Sequence, residues 1–211
     1  MKIARFFAYL TVLIVLFLFL PGASPQKAYT SSNIRTISVC LLNDKESPVN
    51  ESIFRKILVS VSCEYEKNAG IRFEAGTVAV FSGNTGILPV NYERYLKYVC
   101  RLTDEVRIIF TSESMEFPRP DGKTEELVAH TDEDTAVIIM YNVGNYARAL
   151  DWGGNPFLET VLKHEIAHLF GVDHTEDKNS FMYPQANLSL GRWTSEAERV
   201  IKINKIREWI K

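Results

Sequence analysis

Three of the chain's four histidines fall within His164-Glu165-Ile166-Ala167-His168-Leu169-Phe170-Gly171-Val172-Asp173-His174. His164 and His168 are four residues apart, so on a helix they project from one face a turn apart and both imidazoles can reach one ion. Two ligands do not fix a metal. Gly171 follows the last turn and can adopt the left-handed backbone that other residues resist, which lets the chain swing round and bring up His174 as a third ligand. A zinc ion held by three protein nitrogens keeps water in its fourth position and lowers that water's pKa toward neutrality. Glu165 is rotated by about one hundred degrees from His164 on the helix, so its carboxylate can face that water without ligating the metal, as a general base must. A lone histidine on an apolar helix is more often an ordinary core residue. The combination of Glu165, Gly171 and His174 is what favours a metal site.

The flanks must hold this helix in place. Asn155 reads as its N-cap, Pro156 fits the first helical position and Gly171 is a natural stop, which predicts a helix over 156–170. Leu158, Leu162, Ile166 and Leu169 recur at helical spacing and lock it into a core, while Phe157 and Val161 share the histidine face. Upstream, 34–42 reads as a first strand, 52–67 as a long helix and 71–81 as a strand. A helix follows at 91–102, with buried strands at 106–110 and 136–141. Ser195 with Glu198 forms a capping-box pattern that opens a final helix to Ile210. His130 reads as a surface histidine at a turn, outside the metal set. Asp132-Glu133-Asp134 reads as a solvated acidic turn rather than a calcium site.

The extended pattern HExxHxxGxxH resembles the signature of the metzincin metallopeptidases, and Ser180-Phe181-Met182-Tyr183-Pro184 carries the resemblance further. Met182 is similar to that family's Met-turn methionine, whose thioether forms an apolar floor beneath the imidazoles, and the following Tyr-Pro is similar to the matrixin pattern. The resemblance implies an α/β (α+β), zincin-like catalytic domain: a twisted mixed sheet packed on helices, among them the active-site helix and a C-terminal helix. It also implies a zinc metalloendopeptidase of EC 3.4.24 type, with one Zn2+ per chain on His164, His168 and His174, and a protein or peptide as substrate. Pro184 stands where astacin-like and serralysin-like enzymes have a metal-binding tyrosine. No cysteine follows Cys100 to hold the second zinc of archaemetzincins, and only His130 remains for the structural zinc of matrixins. The resemblance further implies that Tyr183 to Leu188 form one wall of the specificity pocket and that Glu126–His130 is the edge strand that pairs with an extended substrate above the zinc. The alternatives are an exported zinc-binding recognition or structural module without proteolytic activity, and a narrow-specificity zinc hydrolase.

Lys2 and Arg5 precede an apolar run from Phe6 to Leu20 and then Pro21-Gly22-Ala23-Ser24-Pro25. This reads as a signal peptide over 1–25, or as an uncleaved N-terminal membrane anchor, with the domain over 26–211 facing outward. The expected location is therefore secreted, or membrane-anchored with the catalytic domain extracellular. About 186 residues remain, enough for one substantial core. The first 25 hold two of the 24 basic residues and no acid, leaving 22 against 26, a net charge of −4. No basic block suggests nucleic acid, and a monomer is expected. Cys40, Cys63 and Cys100 permit one disulfide without revealing its connectivity, and the reading preferred from sequence is three small buried hydrophobes. Many secreted metzincins carry a prodomain whose cysteine blocks the zinc, but only about ten residues separate the signal from the first strand and Phe117–Gly122 contains no cysteine, so no built-in zymogen switch is expected. Asn50-Glu51-Ser52 and Asn187-Leu188-Ser189 match a glycosylation acceptor pattern.

Overall fold

Strand β1, Arg35–Asp44, alternates two sets of side chains, and that alternation organises the domain. Ile37, Val39 and Leu41 join a large core beneath the helices, whereas Cys40 and Leu42 face the other side of the sheet. The computed structural model describes residues 34–45, 47, 49–81, 99–100, 103–112, 116–118, 124–126, 129–132, 134–139, 154–184 and 191–208. The signal or anchor segment, most of the helix expected at 91–102, and Gln185 to Leu188 of the expected pocket wall lie outside these residues. Among the described residues no helix is long and apolar enough to cross a membrane.

Helix α1, Glu51–Ala69, opens at Asn50, whose side chain accepts a hydrogen bond from Ile53 N, and ends at Gly70. It returns the chain to β2, Ile71–Phe81, which pairs parallel to β1 with a register shift between Val39 and Leu41. β3, Val106–Thr111, pairs parallel to the other edge of β1, and β7, Thr135–Ile139, pairs parallel to β3. β6, Ala129–Asp132, completes the five-stranded sheet as an antiparallel edge strand, in the order β2-β1-β3-β7-β6. β4, Glu116–Pro118, and β5, Thr124–Glu126, form a separate antiparallel pair. Helix α2, Gly154–Leu169, carries the histidines, and α3, Ser195–Asn204, follows it. The mixed sheet with helices packed against it is the fold class expected from the sequence.

Several local expectations need correction. α2 begins at Gly154, so Asn155 sits within the first turn rather than capping it. Pro156 is still tolerated there, because the first four backbone N–H groups of a helix have no partner within it. α3 is capped by Thr194, whose hydroxyl accepts from Ala197 N, and it stops at Asn204. With Thr194 as cap the third helical residue is Ala197, so the Ser195–Glu198 capping box does not form. The edge strand is Ala129–Asp132 rather than Glu126–His130, because Glu126 pairs with Glu116 in the small sheet while His130 faces Val137 in the large one.

The cysteines also depart from the reading preferred for them. Cys40 and Cys100 form a disulfide, and Cys63 is exposed on α1. Cys40 points away from the helical face, toward a second cluster of Leu42 and Ile109 against which Val99 and Cys100 pack. The strand's alternation therefore decides which cysteine Cys40 can meet: Cys63 lies on a helix on the opposite side.

Candidate metal centre

The site helix is anchored by its apolar face. Leu158, Leu162, Ile166 and Leu169 are at most 2% exposed, as is Phe157 on the histidine side. Each large buried apolar side chain contributes about 1.5–3 kcal/mol, so the helix has little freedom to shift. Its C-terminus is tied down by α3 and the residues after it: Asn204 Nδ2 donates to Phe170 O at 2.8 Å and Arg207 to Leu169 O at 2.9 Å.

Gly171 then turns the chain, with φ of 78°, while its N–H donates to His168 O and the Val172 N–H to Ala167 O. A β-carbon is disfavoured at that φ, so glycine allows the turn. The turn does two things at once. It brings Val172 O within 2.6 Å of His168 Nδ1, and it carries His174 back to face the helix. Phe181 O lies 2.8 Å from His164 Nδ1 in the same way. A carbonyl only accepts, so each of these Nδ1 atoms carries the proton and each Nε2 presents a lone pair.

The three Nε2 atoms of His164, His168 and His174 form a nearly equilateral triangle with edges of 3.0–3.1 Å. With protons on Nδ1 of His164 and His168, the two neutral rings cannot share a hydrogen bond between their Nε2 atoms, and lone pairs converging in this way suit a cation held between them. Tetrahedral zinc with bonds of about 2.0–2.1 Å places its nitrogen ligands about 3.3 Å apart, which small side-chain rotations reach from here. The donor set therefore fits zinc. His130 is exposed on β6 and is not among the converging ligands. Asp134 of the acidic turn is engaged by Arg107 at 2.8 Å, an ion pair within the fold.

Glu165 is 6% exposed, and its Oε2 accepts a hydrogen bond from the hydroxyl of Thr131 on β6. Thr131, 34 residues upstream of Glu165, carries no signal in the sequence; only strand pairing brings it to α2. Met182 is buried in the turn after His174, where its N–H donates to Ser180 Oγ and its carbonyl accepts from Thr175 N. Gly191 packs directly on the Phe181 backbone, and a β-carbon there would fall inside contact distance of Phe181 Cα and N. Gly191→Ala is therefore expected to cost about 1–3 kcal/mol in urea unfolding. An unchanged unfolding midpoint would contradict this close fit.

Burial sets the charge states. It pushes His164 down to about 4, the neighbouring imidazoles adding to the effect, and it lowers His168 and His174 as well. Burial raises Glu165 to about 7, opposed by the Thr131 hydroxyl. In the metal-free protein these shifts oppose each other. The unfolded chain protonates His164 first, so that group's stability is present above pH 6.5 and is lost as pH falls toward 4. The folded chain protonates Glu165 first, so its stability is present below 4.5 and is lost as pH rises toward 7. Metal-free Glu165→Gln lacks the second slope. Between pH 4.5 and 6.5 it is expected to gain about 2–3 kcal/mol more stability than metal-free wild type, measured by urea unfolding. Equal gains in the two proteins would contradict the burial of that carboxyl.

A mixed sheet with an antiparallel edge strand above a histidine-bearing helix is a zincin-like arrangement, and comparison with known proteins agrees. The matrixin family model matches residues 97–193, which spans the three histidines and the Met182 turn. An archaemetzincin from Methanopyrus kandleri is similar with a TM-score of 0.59 at 16% identity, over 82% of this chain and 97% of that one. A zinc-dependent peptidase from Methanocorpusculum labreanum is similar with a TM-score of 0.54 at 16% identity, over 77% of this chain and 99% of that one. Metalloproteinase-II from Bacteroides fragilis gives 0.55 at 15% identity, over 83% of this chain but 55% of that longer one. No curated protein matches the chain in sequence. Over residues 97–193 the chain is similar to the matrixins, and its fold is similar to that of these solved metallopeptidases.

Proposed function

We propose that the protein is a zinc-dependent endopeptidase, exported or held at a membrane by its N-terminal segment, acting as a monomer on peptide or protein substrates. The observation that supports this best is the buried Glu165 carboxylate set beside three converging imidazole nitrogens. A purely structural zinc site closes its fourth corner and has no use for a poised base.

His164, His168 and His174 would hold one zinc through Nε2. Zinc bound there supplies Lewis acidity, which lowers the pKa of water and polarises a substrate carbonyl. Glu165 Oε2 is engaged by Thr131, which leaves Oε1 to take a proton from the attacking water and deliver it to the leaving amine. Phe181 O and Val172 O hold the two helix imidazoles in the tautomer that ligates through Nε2. The edge strand β6 has its outer side free of sheet partners among the described residues, so an extended peptide can add to it by backbone hydrogen bonds. Tyr183 and the residues after it would wall the pocket. A narrow-specificity zinc hydrolase is the companion reading.

The test is digestion of a peptide library by the full chain with and without added zinc. Zinc-dependent cuts within the peptides are expected, and cuts confined to the termini would exclude an endopeptidase. Stoichiometric zinc uptake with no cleavage of any peptide would favour a zinc-binding recognition module instead.

A further inference from the structure

Lys163 precedes His164 on α2, yet its side chain is only 5% exposed. A buried ammonium is costly unless it is closely partnered. Its Nζ donates to Glu64 Oε2 on α1 at 3.0 Å, lies 3.5 Å from Gly191 O, and stands 5.4 Å from the centroid of the Phe181 ring. The same Glu64 oxygen accepts the indole N–H of Trp193 at 2.9 Å, and the Trp193 ring lies 4.8 Å from that of Phe181. Tyr65 completes the connection: its hydroxyl donates to Lys163 O at 2.7 Å and its ring stands edge-on to Trp193. Two of these side chains, Lys163 and Trp193, therefore converge on Phe181, whose carbonyl receives the Nδ1 proton of His164.

We propose that Glu64, Lys163 and Trp193 form a clamp that seats the Phe181 carbonyl on His164, and so sets how tightly the three-histidine centre holds zinc. They are positioning residues for the metal site. The inference rests on the zinc reading of that centre and not on peptidase activity. Apolar side chains could fill the same volume at no loss of stability, but they would not hold Phe181 by direction. The ion pair and the shared acceptor do. Glu64 lies outside the stretch matched by the matrixin model, so the clamp draws a residue of the first helix into the metal centre's support.

The experiment is a competition titration of zinc against a chromophoric chelator, using the full chain and its Lys163→Met/Glu64→Gln double variant, which leaves no unpaired buried charge. Zinc-free thermal midpoints close to each other are expected, with zinc affinity lowered 10- to 100-fold in the variant. In nitrogen-15 NMR of the zinc-loaded proteins, the Nδ1 proton of His164 should exchange faster with solvent in the variant. That of His168, held by Val172 O, should not change. Affinity within threefold of wild type, with unchanged His164 exchange, overturns the clamp. If the double variant does not fold, Glu64→Gln alone, which keeps an acceptor oxygen, is read by the same two measurements and the same criteria. Wild type that takes up no zinc overturns the clamp together with the metal reading. Weakened zinc binding in the variant supports the clamp even if wild type cleaves no peptide, a result that would overturn the proposed function alone.

Discussion

Glu165→Gln is expected to keep one zinc per chain and to lose peptide hydrolysis by a factor of about 10² to 10⁴ in kcat/KM, the range supplied by a positioned general base. The side chain keeps its length, and its amide oxygen can still accept from Thr131, so β6 and α2 should stay in register. What it loses is the ability to take up a proton and return it. The measurement is kcat/KM on a cleaved library peptide, with zinc content determined on the same sample. Retained zinc with wild-type rates would remove Glu165 from the mechanism. Loss of zinc along with activity would instead mean that the carboxylate supports the metal centre, which its place off the ligand triangle does not suggest.

The second large effect concerns the metal. His168→Ala should abolish measurable zinc uptake and activity together, because two imidazoles leave zinc with an incomplete set of protein ligands. Stripping zinc from wild type with a chelator should abolish activity reversibly. The thermal midpoint should then rise with added zinc, since a ligand that binds only the folded state stabilises it by about 4 kcal/mol at a thousand times its dissociation constant. The truncation and the chelator act differently on the fold. Metal-free wild type keeps the Val172 O to His168 Nδ1 contact, whereas His168→Ala leaves that carbonyl without its partner at the Gly171 turn. A variant that binds zinc as wild type does would place the metal elsewhere.

The convergence of the three imidazoles in the candidate metal centre could be read from residue spacing, and the reason is local. His164, Glu165 and His168 share one helix, so their relative directions follow from 3.6 residues per turn. Gly171 and His174 are within one reversal of its end. The apolar spacing of Leu158, Leu162, Ile166 and Leu169 likewise showed which face would be buried. Helix ends were less legible, because a cap depends on one backbone conformation and good capping residues cluster together. Thr194 and Ser195 are equally able to cap, and it is Thr194 that does so. The edge strand was misplaced by a few residues because Glu126 and His130 belong to different sheets, a distinction that side-chain pattern does not encode.

The sequence by itself determined the geometry of the candidate site: which three imidazoles converge, which carboxyl group shares their helix, and where the chain must turn. These follow from periodicity and from glycine's tolerance of positive φ, both properties of a short stretch. Only the tertiary structure decided what surrounds them. Thr131 on Glu165, Phe181 O on His164, the Glu64–Lys163–Trp193 group behind the turn and the Cys40–Cys100 disulfide all join residues far apart in the chain. Such contacts depend on strand order and on which face of each element meets which. They are settled by burying one common core, so no local pattern can announce them.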